Sequence, residues 1–268
     1  MIVCSRGLVL TASLLALAAA SCSVQASPAP AATPKVEAFP APISEVEANR
    51  MLRAVDSDSS NVSDVMPDRP VVDPRILAPS SIAPRSPDRY SVDFIFASGS
   101  VCIEVQRSVA PHAADRLHQL VELGYCTNVP VFRVIVGRFV QFGLHGDPRV
   151  NSVWQKLPIP DDERKLSNLV GSVSFASAGP GTRTTQLVFN LNDNLDFDKA
   201  GMAPFGVVVK GLSVLTNLYS EYGDGPPSGA GPDQRDIYTR GNQALLTKYP
   251  AMDYVLQAKC VTLVGSKI

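Results

Sequence analysis

The segment VFRVIVGRFVQFGL, residues 131–144, combines a strand-like composition with two polar residues. β-Branched and aromatic side chains dominate it and glycine bounds it, which is typical of a strand. Arg133 and Gln141 interrupt this apolar pattern. An arginine among valines and phenylalanines either lies on an exposed strand face or presents its guanidinium to a ligand in a shallow apolar groove. The residues alone leave both interpretations open.

Short segments of similar composition lie on both sides of this one. They are YSVDFIF (90–96), SVCIEV (100–105), SVSFASA (172–178), TTQLVFNL (184–191) and PFGVVVKG (204–211), with KCVTLV (259–264) as a candidate closing strand. Apolar residues at helical spacing predict two helices, residues 113–123 and 212–222. Many short strands with two or three helices predict an antiparallel barrel or sandwich rather than alternating βαβ units.

Proline use divides the chain near residue 90. Half of the 22 prolines fall within residues 27–89, and this density disfavours helices and sheet ladders. We therefore expect a Pro-rich linker over 27–89, mostly disordered, with one short helix possible at 43–55, and a folded domain over 90–268. On this interpretation, removing residues 1 to about 85 leaves the domain folded.

The N-terminus has the pattern of a secretory signal peptide. Arg6 precedes an apolar run of 13 residues, 8–20, and Val24, Gln25 and Ala26 form a cleavage site before Ser27. The run is shorter than the roughly 20 residues that a membrane-spanning helix needs, so we expect no stable membrane insertion. The pattern predicts a signal peptide at 1–26 and a secreted or otherwise extracytoplasmic protein. A lipoprotein anchor at Cys22 and an organelle transit peptide are the alternatives.

Charge and motif content exclude several classes of protein. Lys and Arg number 24 against 25 Asp and Glu, and no basic run is present, which argues against general nucleic-acid binding. No phosphate loop, serine-hydrolase elbow or zinc-protease motif occurs. Three cysteines remain after the predicted cleavage, without metal-site spacing, and they are expected to be partly buried thiols; whether two of them pair stays open. These residues, Cys102, Cys126 and Cys260, and the scattered His112, His118 and His145 predict no metal site.

Four ordered segments resemble the cyclophilin family of peptidyl-prolyl isomerases, from about residue 90 to the end. They are FRVIVGRFVQFGLHGDP, GSVSFASAGPGTRTTQLVFNL, GMAPFGVVVKGLSVL and the tail YGDGPPSGAGPDQRDIYTRGNQALLTKYPAMDYV, which resembles an extension found in one branch of the family. The resemblance implies a mainly β fold, a closed eight-stranded antiparallel barrel capped by two helices.

The resemblance also implies the site residues. Arg133 matches the family's catalytic arginine, Gln186 the glutamine that holds the substrate backbone, and Gln141 the glutamine eight residues after the arginine. The remaining substrate-binding positions form the expected proline pocket: Arg138, Phe139, Val188, Phe197 and Met202. Two of these depart from the family, because Arg138 and Val188 stand where aromatic residues are usual. We expect Arg138 either to swing out, leaving Phe139, Phe197 and Met202 around a shallow pocket, or to lie across the pocket.

The function implied is cis-trans isomerisation of X-Pro bonds during protein folding, with reduced activity, no cofactor, and proline-containing peptides or proteins as substrates. A monomer is expected. The alternative is a catalytically weak or inactive module that binds proline-containing peptides, and a third interpretation makes the domain a structural part of a larger assembly.

Overall fold

The computed structural model describes residues 72–261. These residues belong to one of two compact units, 67–268. The other unit, 1–66, lies outside the described residues, as do the predicted signal peptide, the predicted helix at 43–55 and the end of the predicted strand 259–264. Within the described part, no helix is both long and apolar enough to cross a membrane.

Ten strands and seven helices make up the described chain. The strands are β1 (Arg89–Phe96), β2 (Gly99–Gln106), β3 (Val129–Pro130), β4 (Arg133–Ile135), β5 (Phe139–Phe142), β6 (Ser172–Phe175), β7 (Leu187–Asn190), β8 (Pro204–Lys210), β9 (Tyr254–Val255) and β10 (Gln257–Val261). The helices are α1 (Pro74–Leu77), α2 (Pro111–Glu122), α3 (Pro148–Trp154), α4 (Leu195–Lys199), α5 (Leu212–Thr216), α6 (Gln234–Arg240) and α7 (Asn242–Leu246).

Eight strands form one antiparallel sheet in the order β10-β1-β2-β8-β6-β7-β5-β4, and β3 pairs with β9 separately. The sheet is strongly curled. Phe94 on β1 lies four and five strands away from Phe189 on β7 and Phe142 on β5, yet its ring centroid is 5.5 Å from both. The eight antiparallel strands were predicted, but the closure was not found, because no ladder joins β10 to β4 within residues 72–261. The sheet is an open half-barrel around an aromatic core.

The helices differ from the predicted pair in number and length. Seven are present in the described residues instead of two, and four of the additional five lie in the connections after β5. The first predicted helix appears as α2, which begins two residues earlier at Pro111. The second, α5, ends at Thr216 rather than residue 222. The backbone N–H of Tyr219 donates to Asp253 Oδ2 at 2.7 Å instead of continuing the helix.

The segment 131–144 folds as a tight hairpin. Arg133 pairs with Gln141 and Ile135 with Phe139, and the turn between β4 and β5 contains Gly137 in the left-handed region at φ 64°. Such a backbone conformation is readily adopted by glycine because it has no Cβ. The hairpin therefore places Arg133 and Gln141 side by side.

The extension after α5 has its own small core. Ile237, Leu245, Tyr249 and Met252 are buried together with Phe132 and Leu144, which flank the hairpin. This second cluster fastens the extension to the hairpin by apolar burial.

Residues 72–89 contact the domain, although the sequence predicted a flexible linker there. Asp73 caps α1 by accepting from the backbone N–H of Arg75, and Pro74 occupies the first turn, where its missing N–H costs nothing. Ile76 is buried, and its carbonyl accepts a hydrogen bond from Trp154 Nε1 at 2.9 Å. Ser86 N donates to Asp115 Oδ1 at 2.8 Å. The domain boundary at residue 90 stays a prediction, but these contacts place the end of the linker against the fold.

His145 joins the end of the hairpin to the extension. Its Nδ1 accepts from the backbone N–H of Asp147 at 2.9 Å, and its backbone N–H donates to Asn151 Oδ1 at 2.8 Å. Asn151 Nδ2 in turn donates to the carbonyl oxygens of His145 (2.8 Å) and Ile237 (3.3 Å). Burial lowers the pKa of His145 from 6.5 to about 4, so the folded chain holds it neutral.

We expect Ile76→Ala to lower the free energy of unfolding by about 2 kcal/mol, because it empties a buried site between α1 and α3. Ile82→Ala is the matched control. Ile82 lies on the same segment but is 80% exposed, against 4% for Ile76, so the control should change stability by less than about 0.5 kcal/mol. Denaturant unfolding of both variants measures this. Equal, negligible effects would show that the segment does not dock.

We expect stability to fall as the pH drops from about 6.5 to 4. In this window the unfolded chain protonates His145 and the folded chain does not, because its pKa is lowered to about 4. The loss across the window is about 3 kcal/mol. His145→Asn keeps an acceptor near Nδ1 and removes the titration, so its unfolding free energy should change less over this range. An identical slope in both proteins contradicts the assignment.

Candidate active site

A groove of about 480 Å³ opens beside the β4–β5 hairpin and β7. Side chains from the hairpin, β7, the loop after β6, α4 and the extension line it. Seven of the eight predicted site residues are among them: Arg133, Phe139, Gln141, Gln186, Val188, Phe197 and Met202. The structure therefore brings together residues that are spread over 70 positions of the sequence.

The floor of the groove is apolar. Phe139, Val188 and Met202 are buried against one another, and Ile135, Ala176 and Phe197 pack around them. The rings of Phe139 and Phe197 meet edge to face with centroids 5.4 Å apart. This cluster is separate from the main core and leaves a small apolar depression facing the groove.

A chain of hydrogen bonds runs along the polar side of the groove. Arg133 Nη1 donates to Gln141 Oε1 at 3.0 Å, and Gln141 Nε2 donates to Gln186 Oε1 at 2.8 Å. Gln186 Nε2 donates to the hydroxyl of Tyr238 at 3.3 Å. Each amide thus accepts with its oxygen and donates with its nitrogen, which holds the three predicted polar residues in one row.

Gly143 allows the two glutamine-bearing segments to approach each other. Its φ is +115°, and a Cβ there would lie 2.4 Å from Thr185 O and 2.7 Å from Gln186 Cα. Because those atoms belong to the backbone, they cannot move aside easily. The glycine therefore permits the spacing that lets Gln141 reach Gln186.

Arg133 is also held by a carboxylate. Its Nη2 donates to Asp224 Oδ2 at 2.8 Å, and its Nε lies 2.7 Å from Asp224 Oδ1 without the alignment of a hydrogen bond. The guanidinium lies over the ring of Phe139, with Cζ 4.8 Å from the ring centroid. A guanidinium has five N–H donors, so one on each terminal nitrogen remains for a ligand. The side chain is 30% exposed and reachable from the groove.

Arg138 is the predicted site residue that does not line the groove. Its side chain is 47% exposed, forms an ion pair with Asp196, and lies over Phe197 with Cζ 5.3 Å from the ring centroid. The guanidinium also lies over Phe139, with Cζ 5.7 Å from that ring centroid, so it stays close to both aromatic rings although it is absent from the groove lining. The ion pair with Asp196 and the stacking on Phe197 account for this position.

The extension adds residues that the sequence analysis did not identify. Three of its residues reach the site: Asp224, Gln234 and Tyr238. Asp224 lies 91 positions after its ion-pair partner Arg133 in the sequence. No local periodicity or motif signals a contact at such a separation. The tail was assigned only by resemblance, which named no functional residue in it.

The geometry suits an extended chain with one apolar ring. The depression at Phe139, Val188 and Met202 takes apolar volume, while Arg133 and Gln186 offer donors beside it. The site is thus suited to binding by shape and hydrogen bonding, with an ion-paired guanidinium at one edge.

Comparison with known proteins gives one family match and several similar solved structures. A family model described as cyclophilin type peptidyl-prolyl cis-trans isomerase/CLD matches residues 91–235. Two solved structures of a cyclophilin type peptidyl-prolyl cis-trans isomerase from Cryptosporidium parvum are similar, at 21% identity and a TM-score of 0.47. One covers 65% of this chain and 98% of its own. The other, determined in the presence of the dipeptide Ala-Pro, covers 64% of this chain and 99% of its own.

Proposed function

Because the chain belongs to the cyclophilin-type peptidyl-prolyl cis-trans isomerase family, we propose that it catalyses cis-trans isomerisation of X-Pro bonds in polypeptide substrates. The observation that carries the proposal is the placement of Arg133 beside an apolar depression, with Gln141 and Gln186 in the same row. This arrangement offers a hydrogen-bond donor for the prolyl nitrogen beside apolar surface for the proline ring.

The reaction needs stabilisation of a twisted amide rather than bond cleavage. Rotation about an amide bond has a barrier of about 18–20 kcal/mol, because the planar group loses its resonance as it twists. Twisting localises the lone pair on the prolyl nitrogen. A donor aimed at that nitrogen binds the twisted form more strongly than the planar one, which lowers the barrier. The proposed step needs neither proton transfer nor a cofactor.

Arg133 is assigned this donor role. Its contacts with Asp224 and Gln141 hold the guanidinium in place before substrate arrives, so little reorganisation is needed during the rotation. Gln186, held by Gln141, would hydrogen-bond the neighbouring backbone. One side of the X-Pro bond is then fixed while the other rotates.

The apolar depression is assigned to the proline ring. Phe139 supplies a flat wall, and Met202 and Phe197 flank it. Val188 occupies a position that an aromatic residue usually fills, so the ring meets less apolar surface on that side. At about 25 cal/mol per Å², the missing contact amounts to about 1–2 kcal/mol, or roughly tenfold in kcat/KM. We therefore propose reduced activity and attribute it to Val188 rather than to Arg138.

The second candidate is a binding module without turnover. The contact between Arg133 and Asp224 favours it, because the carboxylate neutralises the cation and competes for its donors. Two N–H groups remain free, which is why catalysis stays the first proposal. Binding of a proline peptide without acceleration of its isomerisation would establish the second.

Substrates are proposed to be proline-containing segments of proteins that are still folding, with the protein acting as a monomer outside the cytoplasm. The export part of this proposal rests on the N-terminal pattern alone.

We expect Arg133→Ala to lower kcat/KM for an Ala-Pro test peptide about a hundredfold, because it removes the donor to the prolyl nitrogen. Arg240→Ala is the matched control, since Arg240 is also ion-paired but lies outside the groove lining. A protease-coupled isomerisation assay gives the rates, and thermal unfolding verifies that both variants fold. A folded Arg133→Ala protein with full activity refutes the assigned role.

Substitutions of the neighbours Arg138 and Phe139 should change kcat/KM to very different extents. We expect Phe139→Ala to lower kcat/KM at least tenfold, through loss of the wall against the proline ring. Arg138→Ala should change it less than about threefold on apolar-Pro peptides, because the side chain lies outside the groove lining. Phe139→Leu keeps most of the buried volume and serves where the alanine variant unfolds. A large rate gain in Arg138→Ala would mean that the cation obstructs the pocket in solution.

A further inference from the structure

Three potential metal ligands meet on the side of the fold where α2 packs against β10. His118 and Glu122 are four residues apart on α2, so they lie one turn apart on the same face. Cys260 lies on the edge strand β10, where it pairs with Val92 of β1. One ligand atom from each of the three side chains lies within 4.8 Å of the other two.

The surroundings hold part of this cluster in place. The ring of Tyr90 meets His118 edge to face at 5.3 Å, and the Tyr90 hydroxyl donates to the carbonyl of Ala114 at 2.6 Å. His118 and Cys260 are half-buried, whereas Glu122 is exposed. The imidazole and the thiol are therefore supported by the fold, and the carboxylate side of the cluster faces water.

Thiolate, imidazole and carboxylate together form a donor set of the kind that Zn²⁺ uses. Ca²⁺ and Mg²⁺ prefer oxygen ligands alone. Ligand atoms around a tetrahedral zinc lie about 3.5 Å from one another. The three ligand atoms lie no more than 4.8 Å from one another, so side-chain rotations that move them by about 1 Å would bring them to this spacing.

We propose that His118, Glu122 and Cys260 form a binding site for a divalent transition metal of the Zn²⁺ class, with water as the fourth ligand. The bound metal links α2 to β10. None of the three residues lines the groove at Arg133. The proposed metal site is therefore independent of the proposed isomerase function, and the two can be tested separately.

Metal binding at this site includes a proton release. A cysteine thiol has an ordinary pKa of about 8.5, so at neutral pH and without metal the sulfur carries a proton. Binding forms the metal–sulfur bond, breaks the S–H bond and sends the proton to solvent. Affinity should therefore rise with pH.

Cobalt titration of the full-length, metal-free and reduced chain tests the proposal. Co²⁺ bound by a thiolate in tetrahedral geometry gives a near-ultraviolet charge-transfer band and visible d–d bands. We expect both to saturate at one Co²⁺ per chain and to disappear when Zn²⁺ displaces the cobalt. Thermal unfolding should shift upward with Zn²⁺. Absence of the bands and of the shift overturns the proposal.

Variants locate the metal. Cys260→Ser should abolish the charge-transfer band, and His118→Ala and Glu122→Gln should each weaken Co²⁺ binding at least about tenfold. Cys102→Ser and His112→Ala are the matched controls. Cys102 pairs with Asp93, next to the Cys260 partner Val92, and so lies on the opposite face of the sheet. Bands that persist in Cys260→Ser, or vanish in Cys102→Ser, contradict the assigned ligands. Isomerase rates play no part in this readout.

Discussion

The period-two alternation of side chains along β4, β5 and β7 determines both the core and the groove. Val134, Val140, Phe142 and Phe189 point to one face and join the main core. Arg133, Phe139, Gln141 and Val188 point to the other and line the groove. A slip of one residue in the pairing of these strands would exchange the two sets and place a guanidinium among the phenylalanines. Burial of the aromatic core therefore also fixes the register of the site.

The extension acts as a second layer of support for the same hairpin. Its apolar cluster closes over Phe132 and Leu144, which lie just outside β4 and β5. That packing brings Asp224 to Arg133 and Tyr238 to Gln186. The orientation of Arg133 thus depends on the extension, which follows β8 in the sequence. The conformational entropy lost when the extension becomes ordered is offset by burial in the second core and by these polar contacts.

Local pattern was sufficient for the strands, whereas the groove residues on them were assigned only by the resemblance to a known family. Alternation and β-branched composition predicted the segments around Arg133 and Gln186, and ordered motifs predicted their meeting. Contacts between distant segments could not be predicted in this way. The ion pair of Arg138 depends on Asp196, which lies 58 positions away. The proposed metal ligands likewise come from α2 and β10, which are far apart in the sequence. In residues 72–89 a signal was present. Asp73 before Pro74 is an N-cap followed by a first-turn proline, but the overall proline density concealed it.

The docking of α1 also has a mechanical consequence. The described chain enters the fold at α1, where Ile76 is buried and its carbonyl is bound by Trp154 of α3. Tension applied through the preceding residues is therefore borne first by this contact and by the bond between Ser86 and Asp115, before it reaches β1. β1 has strands paired along both sides, so pulling on it directly would strain the centre of the ladder. A pull on the residues before α1 would therefore load these contacts before it reached the strands that carry the groove.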